Sequence, residues 1–194
     1  MRFATITADP PWPYEQRDVT GSRQPKVNGE LDSGVSSTRR YGAMSVGDLC
    51  AMPVERYAET NAHLYLWTTN SFLVEAHQIA REWGFEPKTM ITWTKTRLED
   101  GQPSMKTGYY YRGATEHCLF CIRGSLRLSG PARPTAFLHP RLPHSVKPDA
   151  FFALMEEQSP GPRLELFSRR KRPGWSCWGN QVESDVALTV EDVI

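Results

Sequence analysis

No apolar run in these 194 residues is long enough to cross a membrane as a helix. The first hydrophobic stretch is cut short by Asp9 and two prolines, so it is not the apolar core of a secretory signal. A cytoplasmic location is the expectation. Net charge is only +1, so no global field draws the chain to nucleic acid. Any such surface must be local or supplied by a partner subunit. Neither GxGxxG nor a P-loop occurs, which removes the two commonest phosphate cradles. No internal repeat or interdomain linker divides the chain, and one domain over residues 1–194 is expected. Cysteine is scarce, at Cys50, Cys118, Cys121 and Cys177. The Cys118–Cys121 spacing suits half a zinc site or a redox pair, but no second close Cys/His pair accompanies it. Its surroundings read as a strand, in which the two thiols point to opposite faces. Buried, reduced cysteines and no metal are therefore expected.

Asp9-Pro10-Pro11-Trp12 is the most informative segment present, and it follows the apolar run Phe3–Ala8. That run reads as a buried strand. A carboxylate at the exit of such a strand lies where open α/β sheets bind ligands. Each proline fixes its own φ, lacks an N–H and biases the preceding residue towards extended backbone. The turn is stiff and poor in donors, leaving the Asp9 carboxylate and the Pro10 carbonyl as acceptors beside the Trp12 plate. Such a set suits a planar substrate bearing an NH2 group, such as adenine. The plainer reading is a proline-rich turn that closes a strand.

Strand-like and helix-like segments alternate along the rest of the chain, which predicts a largely parallel α/β sheet. Residues 13–40 are rich in Gly, Ser and Arg and show little periodicity. They read either as a substrate lid or as a disordered insertion. Ser45 and Asp48 form a capping-box pattern at a helix start. Residues 62–67 read as a strand. Residues 72–83 read as a helix, with Asn70 or Ser71 as its cap and Gly84 as its stop. Strands are further expected at 88–95, 109–111, 116–122 and 163–167. A helix is expected over 148–158 with Pro148 at its first position. Residues 137–143 read as irregular, and an acidic tail begins near residue 184.

These parts, in this order, resemble the MT-A70 family of S-adenosylmethionine-dependent adenine-N6 methyltransferases. The resemblance rests on Asp9–Trp12, on Tyr41-Gly42-Ala43-Met44-Ser45, and on Thr115-Glu116-His117-Cys118. It also rests on His144-Ser145-Val146-Lys147-Pro148-Asp149, on Glu165-Leu166-Phe167-Ser168-Arg169, and on Gly174-Trp175 and Gly179-Asn180-Gln181. It implies a Rossmann-like methyltransferase fold, mostly parallel, with helices on both faces. The motif order is permuted, the catalytic turn preceding the cofactor strand. It further implies Asp9, Pro10, Pro11 and Trp12 as catalytic residues.

For S-adenosyl-L-methionine the resemblance implies Asp9, Ser145, Lys147, Glu165, Leu166, Phe167, Arg169, Asn180 and Gln181. Lys147 before a helix start suits the cofactor's carboxylate. Glu165 or Arg169 suits ribose hydroxyls, although a structural ion pair between the two is the plainer reading. Trp12, Tyr14, Tyr41, Glu116, His117 and Arg112 are the implied substrate contacts. A duplex substrate would need its base flipped out. The family resemblance points to nucleic acid as partner, DNA adenine first and RNA adenine second. Cytosine-N4 chemistry and a non-catalytic scaffold are the remaining readings. A homodimer or a partner subunit is compatible with the sequence.

Overall fold

The computed structural model describes residues 1–14, 42–105, 110–143 and 146–188. Seven strands form one sheet in the order β5-β3-β4-β2-β1-β6-β7. They are β1 (Phe3–Ala8), β2 (Ala58–Thr68), β3 (Glu86–Thr96), β4 (Thr115–Arg123), β5 (Ala136–Pro140), β6 (Arg163–Leu166) and β7 (Ser176–Trp178). The helices are α1 (Val46–Ala51), α2 (Leu73–Glu82) and α3 (Asp149–Gln158). Strand β4 pairs antiparallel with both β2 and β3, while the other four pairings are parallel. The fold is therefore the mostly parallel α/β, Rossmann-like architecture expected.

Alternation along the central strands builds two cores. Leu64 and Leu66 of β2, with Leu119 and Cys121 of β4, pack against Leu49 of α1, Ile79 and Ala80 of α2, and Trp83 just after it. Tyr65 and Trp67 of β2, with Cys118 and Phe120 of β4, pack on the opposite face against Phe151 and Met155 of α3. Each fully buried large side chain contributes about 1.5–3 kcal/mol. Truncating Leu66 to Ala would cost roughly 2–5 kcal/mol through lost contact and cavity. Cys118 and Cys121 fall on opposite faces, both as free thiols. Burial raises both thiols, and Cys121 reaches about 12.

Helix α1 begins with the capping box read from sequence. The Ser45 hydroxyl accepts from the Asp48 N–H at 3.0 Å, and Asp48 accepts back from the Ser45 N–H at 3.2 Å. Gly84 stops α2 at φ +79, a conformation that only glycine adopts freely.

Four local expectations are corrected. Neither Asn70 nor Ser71 caps α2, which starts at Leu73 after a 3-10 turn over Asn70–Phe72. The Asn70 amide is taken by His117 instead. Tyr110 and Tyr111 form an exposed bend rather than a strand, because β4 pairing starts only at Thr115. Residues 136–140 are not irregular but form β5, an edge strand, where one unpaired side tolerates proline. Strand β6 ends at Leu166, since Phe167 turns left-handed at φ 61.

Candidate active site

Because β4 alone runs against its neighbours, its first residues share a rim with the last residues of the parallel strands. Ala8 of β1 sits between Leu66 of β2 and Leu166 of β6, and Trp93 of β3 lies beside Glu116 of β4. Five charged side chains meet at this rim. Asp9 follows β1, Lys95 is next to last in β3, Glu116 is second in β4, Glu165 is next to last in β6 and Lys147 lies two residues before α3.

Four of them form an alternating chain. Lys95 pairs with Glu116, Lys147 Nζ lies 3.2 Å from Glu116 Oε2, and it donates to Asp9 Oδ2 at 2.7 Å. Lys147 also sits over the Trp67 ring at 5.0 Å, and Lys95 over Trp93 at 4.7 Å. These cation–π contacts let a buried ammonium keep partners after leaving water. Burial would lower Lys147, yet Asp9 and Glu116 outweigh it and hold the ammonium above its usual range. Burial would raise Glu116, yet Lys147 and Lys95 outweigh it and hold the carboxyl at about 2.

Beside this chain lies a cavity of about 140 Å³ lined by Asp9, Lys147, Glu165, Phe167, Arg169 and Arg172, among others. Glu165 Oε2 is buried there with no hydrogen-bond partner among the described residues. Burial raises its carboxyl to about 7, partly opposed by Arg172 and Ser168 and reinforced by Asp9. Arg172 is held elsewhere, over the Phe152 ring at 3.5 Å and on Asp149 at 2.9 Å. The left-handed Phe167 brings its ring to this wall, edge-on to Trp178 at 5.3 Å.

The proline turn departs from the simplest sequence reading. The Pro10 carbonyl accepts the Trp12 N–H at 2.9 Å, so one of its two lone pairs is used. Trp12 is not an open plate. It is only 4 % exposed, stacks on Phe72 with centroids 5.0 Å apart, and donates from its indole N–H to the Trp67 carbonyl at 3.2 Å. Apolar burial of so large a ring outweighs leaving it free. Tyr14 takes the surface position instead. Its ring meets Phe72 edge-on, its hydroxyl bonds Thr69 at 2.7 Å, and burial raises the phenol.

The structure brings Asp9, Lys147, Glu165, Phe167 and Arg169 to one cavity, and Glu116 to its charged border. Leu166 instead turns its side chain into the core at 1 % exposure, as strand alternation from Glu165 requires. His117 faces the α2 side of β4, opposite Glu116, where it bonds Thr92 at 3.0 Å and contacts Asn70. Burial lowers its imidazole. Neither Leu166 nor His117 presents its side chain to the cavity. Asn180 and Gln181 are exposed in the turn after β7, and Arg112 is exposed ahead of β4. Tyr41 and Ser145 lie outside the described residues, as does most of the 13–40 segment. Lys95 and Phe72 were not singled out from sequence. Lys95 is next to last in a strand and alternates with Trp93, the one signal that placed it at the rim.

A family model described as MT-A70 matches residues 3–181 of this chain. A Medicago truncatula protein named putative N(6)-adenosine-methyltransferase MT-A70-like is 29 % identical over 98 % of this chain and 28 % of its own length. The human N(6)-adenosine-methyltransferase catalytic subunit METTL3 is 26 % identical over 100 % of this chain and 30 % of its own length. The type II methyltransferase M.MunI of Mycoplasma sp is 27 % identical over 93 % of this chain and 78 % of its own length. The chain thus spans under a third of the plant and human relatives it matches.

Proposed function

We propose that this chain, which belongs to the MT-A70 family, transfers a methyl group from S-adenosylmethionine to the N6 amine of adenine in DNA. The convergence of Asp9, Lys147 and Glu165 on one cavity, with Glu165 Oε2 unpartnered among the described residues, is the observation that carries this reading. DNA is favoured because the type II methyltransferase is, among the relatives above, the one whose length this chain spans most fully. RNA adenine is the second reading, supported by the match to N(6)-adenosine-methyltransferases.

The residues present fit the cofactor. Glu165 Oε2 lacks a partner among the described residues and accepts donors, which suits ribose hydroxyls. Lys147 offers an ammonium to a carboxylate, Asp9 offers a carboxylate to an amine, and Phe167 offers an aromatic wall. When bound, S-adenosylmethionine supplies an electrophilic sulfonium methyl group.

The amine's lone pair is delocalised into the adenine ring, so the nitrogen is a weak nucleophile. Asp9 Oδ1 and the second lone pair of the Pro10 carbonyl accept its N–H hydrogens and favour a pyramidal nitrogen. Those bonds strengthen as positive charge develops on nitrogen, which is differential stabilisation of the transition state. Glu116 and Trp67 hold Lys147 in place, and Lys147 fixes the Asp9 carboxylate. Tyr14, half-exposed at the same rim, is the aromatic available to stack on an extruded base.

The test is transfer of labelled methyl from S-adenosylmethionine to matched single- and double-stranded DNA and RNA, with digestion to nucleosides. N6-methyl-deoxyadenosine that disappears with Asp9→Ala is the expected result. N6-methyladenosine from RNA alone would reverse the substrate, and no cofactor binding would leave a scaffold.

A further inference from the structure

Glu116 and His117 are consecutive in β4, so their side chains point to opposite faces of the sheet. Glu116 reaches the Asp9–Trp12 turn from one face, through Lys147 to Asp9. His117 reaches it from the other. It stands between Thr68 of β2 and Thr92 of β3, its register partners in the two neighbouring strands. The Thr92 hydroxyl lies 3.0 Å from His117 Nδ1, and His117 Nε2 contacts Asn70 Oδ1. A carboxamide oxygen only accepts, so Nε2 of the neutral ring carries the hydrogen and Nδ1 accepts from Thr92. Both ring nitrogens are thus committed within the protein.

Asn70 opens the 3-10 turn Asn70–Phe72 that leads into α2. Asparagine at a helix entry ordinarily caps the backbone, yet neither this turn nor α2 has a side-chain cap. The Asn70 amide is committed instead to a residue 47 positions away. The Phe72 N–H closes the turn on the Thr69 carbonyl at 3.0 Å, and the Thr68 hydroxyl donates to the Phe72 carbonyl at 3.1 Å. Phe72 carries the stack on Trp12 and the edge contact with Tyr14, and Thr69 holds the Tyr14 hydroxyl. Trp12 in turn donates its N–H to the Pro10 carbonyl. A continuous path of contacts therefore runs from His117 through Asn70 and Phe72 to that carbonyl.

We propose that His117 is a positioning residue, which braces the Asn70–Phe72 turn so that Trp12 holds the Pro10 carbonyl in place beside Asp9. The inference rests on the methyl-transfer reading above. Asp9 and the Pro10 carbonyl are the two acceptors for one NH2 group. Glu116 fixes the first through Lys147, and His117 fixes the second through Phe72 and Trp12. Two adjacent residues of one strand thus grip the turn from both faces. A displacement of about 1 Å at the reacting atoms costs on the order of a hundredfold in rate, so a brace that touches no substrate still bears on turnover.

The test uses the full chain. His117→Phe keeps a ring and removes both nitrogens, His117→Gln keeps a donor for Asn70, and Asn70→Ala removes the acceptor. By hydrogen exchange, the Phe72 and Trp12 amides of His117→Phe should exchange at least about fivefold faster, and those of α3 within about twofold of wild type. In the labelled-methyl assay, kcat should fall at least about tenfold in His117→Phe and in Asn70→Ala, and no further in the double variant. His117→Gln should recover kcat to within about threefold. The lining of the cofactor cavity includes none of His117, Asn70, Phe72 and Trp12. S-adenosylmethionine affinity and stoichiometry should therefore stay unchanged in all four variants. Losses that multiply in the double variant, or Trp12 exchange unchanged in His117→Phe, would overturn the brace. Turnover and cofactor stoichiometry that fall together would also overturn it, since His117 would then serve folding alone. Wild-type protein that methylates no nucleic acid, with Trp12 exchange still raised by His117→Phe, would overturn the methyl-transfer reading and leave the brace standing.

Discussion

Glu116 and Glu165 are half-buried carboxylates at the same rim, yet their surroundings push them in opposite directions. Glu116 lies between two ammonium groups and is held at about 2. Glu165 keeps one oxygen without a partner among the described residues and is raised to about 7. The first is paired on both sides within the protein. The second is an acceptor that the fold buries and leaves unanswered. A buried polar atom without a partner costs about 1–3 kcal/mol. The two carboxylates thus separate the part of the site that the protein completes by itself from the part that a ligand completes.

The largest effect should come from Asp9, where the two parts meet. Asp9→Asn keeps the shape and loses the charge, and methyl transfer should fall at least about a hundredfold. Labelled-methyl assays at saturating cofactor check this, and near-normal turnover would remove Asp9 from the chemistry. Next comes Glu116→Gln, which takes the carboxylate from between Lys95 and Lys147 and leaves Lys147 with Asp9 alone. Breaking a buried pair in this way should destabilise the fold by about 3 kcal/mol in urea unfolding. A loss below about 0.5 kcal/mol would mean that the chain of charges is not structural.

Glu165→Gln should act in the opposite sense on stability. A carboxyl raised on folding contributes stability that is present below its ordinary value of 4.5 and lost as pH rises through about 7. At pH 8 the Gln variant should therefore be more stable than wild type by roughly 2 kcal/mol, while binding S-adenosylmethionine at least about tenfold more weakly. Calorimetry at pH 5 and pH 8 reads the first effect, and isothermal titration the second. Glu116 has the reverse profile, contributing stability above 4.5 that is lost as pH falls through about 2. Acid unfolding of wild type between those values should shrink in Glu116→Gln and persist in Glu165→Gln. The smallest effect belongs to Trp12→Phe, which keeps the stack on Phe72 and loses one indole N–H bond. A cost of about 1 kcal/mol is expected.

The same contrast shows what the sequence made legible. Asp9 was readable because a buried strand, two prolines and an acid lie within ten residues. The Ser45–Asp48 box and the opposed faces of Cys118 and Cys121 were readable for the same reason, being local periodicities. The pairing of Lys147 with Asp9 spans 138 residues and depends on α3 and β1 meeting at one rim, which no window along the chain contains. Lys95 passed unnoticed because its partner lies on another strand. The type and place of Trp12 suit an open stacking plate, but the folded chain gives that face to Phe72. Strand β5 escaped notice because its proline is tolerated only at an edge, and an edge is a property of the sheet.

The reversed strand β4 carries a last consequence. A parallel neighbour must be reached by a long crossover that returns to the far end of the sheet. The link from β3 to β4 makes no such return, and both its ends stay beside Lys95 and Glu116. Residues can be added to or removed from this link without lengthening any crossover. The surface beside the charged chain can thus diversify by insertion and deletion while Lys95 and Glu116 keep their places.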